Sequence, residues 1–184
     1  MKPWQVLLTL SFLLLGGCLD TFETPLPGAQ AAPKALLGQW RSKDAWGEPL
    51  TLTITQAKGT TYQAVARGKD RSVHTYRFSV TRHGNRWYVS GAAPAASGHG
   101  FVIGGFELND EHQLLLYTLD REQLRQAVRQ QELSGRSVAD SNDSSDNGQG
   151  LHIDSPAERV LAYLDDPANS DVFVETARLQ RARP

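Results

Sequence analysis

The most regular stretch of the chain is LTLTIT at residues 50–55, where Leu50, Leu52 and Ile54 alternate with three threonines. A period of two places the aliphatic side chains on one face of a strand and the hydroxyls on the other. YQAVAR (62–67) and HTYRFSV (74–80) continue the pattern, the latter with Tyr76, Phe78 and Val80 inward. RWYVSGA, GFVIGGFEL and HQLLLYTL follow, and with a first strand starting near Gly38 they make about seven strands. The turns between them carry Lys58-Gly59, then Gly68 to Asp70, then Gly84-Asn85, a pair that tolerates the positive φ of a two-residue hairpin turn. Such a run predicts an antiparallel meander that closes into a small barrel or curls into a half-barrel to hide its edges.

The periodicity then changes. Asp120 followed by Gln123 forms a capping box before LRQAVRQQEL (124–133). Ser155-Pro156-Ala157-Glu158 forms a better one, with proline at the first helical position. Ala157, Val160, Leu161 and Leu164 share one face at helical spacing. Asp165-Asp166-Pro167 ends that helix, and DVFVETARL (171–179) reads as a last strand. The polar stretch 140–150, DSNDSSDNGQG, is expected to be a mobile loop. The fold class is therefore α+β, mainly β, with two C-terminal helices and a last strand.

The greasiest run lies at the start, from Val6 to Leu15, flanked by Lys2 and by Gly16-Gly17-Cys18. It is about half of the roughly 20 apolar residues that a spanning helix needs. A positive start, a short apolar core and small residues before a cut site describe a secretory signal peptide. The ending Leu15-Gly16-Gly17-Cys18 resembles the lipobox of bacterial lipoproteins. That resemblance implies removal of residues 1–17, diacylation of Cys18 and usually acylation of the new amino terminus. Acyl chains contribute about 0.8 kcal/mol per buried CH₂, so two or three of them, palmitate among them, hold a protein on the membrane. Leu19 rather than Asp follows the cysteine, which in the same family's sorting logic implies the outer membrane, facing the periplasm. Residues 18–35, rich in proline, read as a lipidated cysteine and a flexible tether with a reach on the order of 20 Å, and 36–184 as one β-rich domain.

Composition narrows the function. The chain is 40% hydrophobic with net charge -1, which is ordinary for a globular protein. Without the leader, whose one charge is Lys2, 18 basic face 20 acidic side chains, so no strong positive field is available to hold nucleic acid. Cys18 is the only cysteine, and lipidation leaves no thiol for a disulfide, a zinc site or redox chemistry.

Several residues could carry more specific chemistry. Gly38-Gln39-Trp40 resembles the Gly-x-Trp signature of lipocalins and related calycin barrels, which implies that Trp40 closes a barrel floor beside a basic residue of the last strand, Arg178 or Arg181. Asp143, Ser145, Asn147, Gly148 and Asp154 fall at the first, third, fifth, sixth and twelfth places of an EF-hand loop. A glycine stands at the aliphatic anchor position, Gly150, and the same letters read as a solvated linker. The histidines, at 74, 83, 99, 112 and 152, show no metal-ligand spacing, and Ser97-Gly98-His99-Gly100 points to no particular catalytic trio. Arg121, Arg125 and Arg129 recur every four residues along one helix face. That stripe is a candidate dock for an acidic partner or anionic lipid, or a solvated face.

Three function classes follow. The first is a non-catalytic lipid-anchored binding module for a small apolar or envelope-derived ligand. The second is a pilotin-like interaction or assembly partner of another envelope protein, and the third a hydrolase. The chain is expected not to be an enzyme and to need no cofactor. A hollow barrel interior would favour the first class, a solid core with an exposed patch the second, and a cleft joining His99 or His112 to a carboxylate the third.

Overall fold

The computed structural model describes residues 19–28, 30–45, 48–69, 72–94, 99–138 and 150–182. The leader 1–17, Cys18 and residues 140–149, including Asp143, Ser145 and Asn147, lie outside them. The strands are β1 (Thr21–Phe22), β2 (Gly38–Ala45), β3 (Glu48–Lys58), β4 (Thr61–Arg67), β5 (Val73–His83), β6 (Arg86–Ala92), β7 (Phe101–Leu108), β8 (Gln113–Leu119), β9 (Gly135–Val138), β10 (Gly150–Ile153) and β11 (Phe173–Arg181). The helices are α1 (Arg121–Arg129) and α2 (Ala157–Asp165).

Strands β2 to β8 pair with their sequence neighbours in antiparallel fashion, and β11 inserts between β8 and β2. The result is a closed eight-stranded antiparallel barrel rather than a half-barrel. The first half of β7 pairs with β6 alone among the barrel strands, because its pairing with β8 starts at Gly105 opposite Tyr117. β1 joins there, Phe22 opposite Phe101, and β10 and β9 extend the sheet beyond it.

Alternation along each strand gives the barrel two apolar faces. Inward lie Trp40, Leu50, Leu52, Ile54, Tyr62, Val80, Phe106, Leu114 and Leu179, all buried in one core. Trp40, Tyr62, Leu114, Leu179 and Val80 are among the least exposed side chains of the protein. These side chains meet inside the barrel, while Phe78, Trp87, Val89 and Leu116 on the same face are only partly buried against them. Outward-facing Tyr88 and Ile103 pack under Leu124 and Ala127 of α1, Leu151 and Ile153 of β10, and Val160, Leu161 and Leu164 of α2, forming a second core.

One helix starts at the cap written in the sequence and the other does not. Asp120 caps α1 as expected, its carboxylate accepting from the Gln123 amide at 2.9 Å. The helix begins at Arg121 and ends before Gln131, whose φ is +63°. Ser155 does not cap α2. Its buried hydroxyl instead accepts from the Ser134 amide at 2.7 Å, tying the entry to α2 to the residue before β9.

The segment read as a flexible tether is packed for most of its length. Phe22 and Leu26 are 2% and 1% exposed. The Leu26 amide donates to Ser90 Oγ, Thr81 Oγ donates to the Pro27 carbonyl, and the Ala32 amide donates to Tyr62 Oη. The chain therefore runs as a strap from the end of the barrel where β7 begins, across the outside of β6 and β5, to the opposite end. There a 3₁₀ turn, Lys34–Leu36, slides under Trp40. Apolar residues at 22, 26 and 36 explain this course, because each contributes roughly 1.5–3 kcal/mol when buried and thereby outweighs the freedom of a proline-rich linker.

Candidate functional site

The barrel floor is built from Gly38, Trp40 and Arg181. Trp40 Nε1 donates to the Leu36 carbonyl at 2.9 Å, and the Arg181 guanidinium lies 5.0 Å from the centre of the indole ring. Arg181 also donates to the carbonyls of Ala35 and Leu37, both at 2.7 Å, satisfying the 3₁₀ turn. Gly38 has φ of +124°, and a Cβ there would meet Arg181 Nη2 at 3.0 Å. The Gly-x-Trp spacing thus has a local physical cause: glycine supplies both the backbone conformation and the room for the guanidinium. Arg178 points elsewhere and pairs with Glu175, holding that carboxyl below its ordinary value through the hydrogen bond.

The arginine stripe of α1 is partly engaged within the chain. Arg121 Nε reaches both carboxylate oxygens of Asp20, at 2.9 and 3.2 Å, and the Leu151 amide donates to the same carboxylate at 3.1 Å. Burial raises the Asp20 carboxyl above its ordinary value, opposed by Arg121, the Leu151 amide and the charge of Arg125. Arg129 pairs with Glu122 at 2.8 Å, and the Arg125 guanidinium comes to 4.0 Å from the same glutamate.

Two histidines meet carboxylates, and neither is one that sequence reasoning had placed beside a carboxylate. His152 on β10 is 5% exposed, with Nδ1 2.9 Å from Thr21 Oγ1 and Nε2 2.8 Å from Glu23 Oε2. Hydroxyl, imidazole and acid are thus in line, as a nucleophilic relay requires. Thr21, however, is 4% exposed and lies in β1 opposite His152, so no substrate reaches its hydroxyl. The trio acts as a clasp for the strap.

His83 is bonded through Nδ1 to Asp165 Oδ2 at the end of α2, and Tyr88 Oη donates to Asp165 Oδ1 at 2.6 Å. Burial, then the bond to Asp165, raises the Tyr88 hydroxyl well above its ordinary value. Gly84 allows the approach: its φ is +56°, and a Cβ would meet Asp165 Oδ2 at 2.8 Å. Among the described residues, no serine or threonine hydroxyl is bonded to His83, and neither His99 nor His112 is bonded to a carboxylate.

Asp154, the last calcium candidate, follows β10 and faces Arg136 at 4.0 Å. Residues 150–153, the eighth to eleventh places of the supposed loop, form strand β10, paired with β9 throughout and with β1 at His152 and Ile153. Among the described residues, no three His, Cys, Asp or Glu side chains gather to hold a metal, and every buried side-chain nitrogen or oxygen has a partner. No helix among them is long and apolar enough to cross a membrane.

The contacts of Asp20, Thr21, Glu23 and Asp165 were illegible in the sequence, since each depends on a partner more than 75 residues away. Only the glycine at 84 and the Gly-x-Trp at 38 hinted at close approaches. Compared with family models, with curated proteins and with solved structures, the chain matches none.

Proposed function

We propose that this protein is a lipid-anchored periplasmic lipoprotein, held at the outer membrane through Cys18, that serves as a non-catalytic partner for another envelope protein. The observation that carries the choice of a protein partner over a small apolar ligand is the buried side-chain cluster inside the barrel. Tyr62, Val80, Leu114 and Leu179, from four strands, meet with Trp40 in one buried cluster, which leaves less room for cargo than the hollow interior of a lipocalin-like carrier. The stacking of Arg181 on Trp40 is compatible with a calycin-like floor and supports the barrel reading. Outer surfaces remain for docking, among them the exposed strand β9 with Val138, 45% exposed, and Arg129 on α1, 62% exposed.

A photo-crosslinking side chain placed at Val138 or Arg129 in cells is expected to give a discrete protein adduct, and one at buried Trp40 none. Saturable binding of a fluorescent fatty acid by the delipidated domain would replace this reading with the ligand-carrier one. Separately, Cys18→Ala is expected to move the protein from the membrane to the soluble fraction; retention on the membrane would remove the anchor.

A further inference from the structure

We propose that the domain is seated directly on the bilayer by the end of the molecule that holds Asp20, with phosphate-bearing lipid headgroups as the partner surface. The proposal rests on the reading of Cys18 as the lipidated residue. Two peptide units separate the Cα atoms of Cys18 and Asp20, a reach of at most about 7 Å. Asp20 is not loose: Arg121 clamps its carboxylate and the Leu151 amide donates to it. The next residues, Thr21 and Phe22, are already in the sheet beside β10 and β7. A packed strap therefore leaves a leash of about 7 Å, where a free tether of the same chain would reach on the order of 20 Å.

Charge is compatible with this seating. The leash is no longer than the Debye length of about 8 Å at physiological salt, so side chains at the start of α1 stand in the field of the headgroups. Asp20 is the acidic side chain nearest to Cys18 in sequence, and unpaired it would be repelled there. Arg121 neutralises it, and Arg125 adds a second positive charge to its surroundings. The far end of the barrel includes the turn between β7 and β8 with Asp110. It lies about 25 Å from the β7 end where β1 joins at Phe101, the length of β7 at roughly 3.3 Å per residue.

The test uses the full lipidated protein in phosphatidylcholine and phosphatidylglycerol vesicles that carry a headgroup-level fluorescence quencher. Lipidation consumes the single cysteine, so an introduced thiol is the only one free for labelling. Fluorophores at Glu122→Cys, on α1, and Asp110→Cys sit at exposed positions. The label at 122 is expected to lose most of its emission on the vesicles, while the label at 110 keeps the intensity it has in detergent. Equal emission from both labels on vesicle-bound protein would overturn the seating and leave the anchor standing. Protein that stays in the supernatant would instead remove the anchor reading, and the seating with it.

Discussion

At the scale of single residues, this protein uses close approaches that leave no room for substitution. Gly38 and Gly84 each combine positive φ with a charged group at contact distance, Arg181 in one case and Asp165 in the other. Asp20 is the residue where electrostatics is measurable. Its folded carboxyl binds a proton more tightly than the ordinary value of 3.8 allows, because burial outweighs the arginine beside it. The sign follows from linkage. A raised folded value means that protonation favours the folded state, so this group's contribution is fully present below 3.8 and is lost as pH rises through the folded value. Urea midpoints of the wild type and of Asp20→Asn across the acid range are expected to diverge, the wild type gaining relative to the variant as pH falls. The opposite trend would mean that Arg121, not burial, dominates the site.

At the scale of elements, the two helices contrast a cap written locally with one redirected by packing. Asp120 and Gln123 are close in sequence and meet as the capping pattern predicts, so Asp120→Ala is expected to cost about 0.5–2 kcal/mol and to speed hydrogen exchange at the Gln123 amide. Ser155 satisfies the same pattern, yet its hydroxyl serves the Ser134 amide. Ser155→Ala is therefore expected to cost about 1–3 kcal/mol by orphaning that donor. Its exchange signature should appear at Ser134 rather than in the first turn of α2. A change confined to α2 would restore the capping role. Local pattern sufficed for β3 to β6 and α1, where hydrophobic period and turn glycines agree. It failed for β1, β9 and β10, because two- and four-residue strands carry too few positions to show a period.

At the scale of the whole molecule, the strap changes where the domain begins. A chain starting at Leu36 lacks Phe22 and Leu26, each contributing roughly 1.5–3 kcal/mol, as well as the His152 clasp. Against a total stability of about 5–15 kcal/mol, that loss is a large fraction. Thermal unfolding of the Leu36-start domain is expected well below that of a Leu19-start domain. Coincident transitions would mean that the strap adds nothing and that residues 19–35 are a tether after all. Under the proposed seating on the bilayer, the same packing shortens the leash from Cys18, so stability and membrane distance are linked.

The sequence by itself determined the alternating strands, the turn at Gly84-Asn85, the floor motif at Gly38 and Trp40, the α1 cap and the likeness of its first 18 residues to a lipoprotein leader. Each of these is encoded within a few neighbouring residues, where period, φ preference and local hydrogen bonding act. Only the tertiary structure decided that the barrel closes through β6–β7 and β11, that residues of β2, β3, β4, β8 and β11 meet in one core inside it, and that Arg181 rather than Arg178 covers the indole. It also decided that the proline-rich linker is a strap and that Asp20 and His152 hold it. Those outcomes depend on pairings across scores of residues, in which buried area and charge compensation, not local propensity, select the partner.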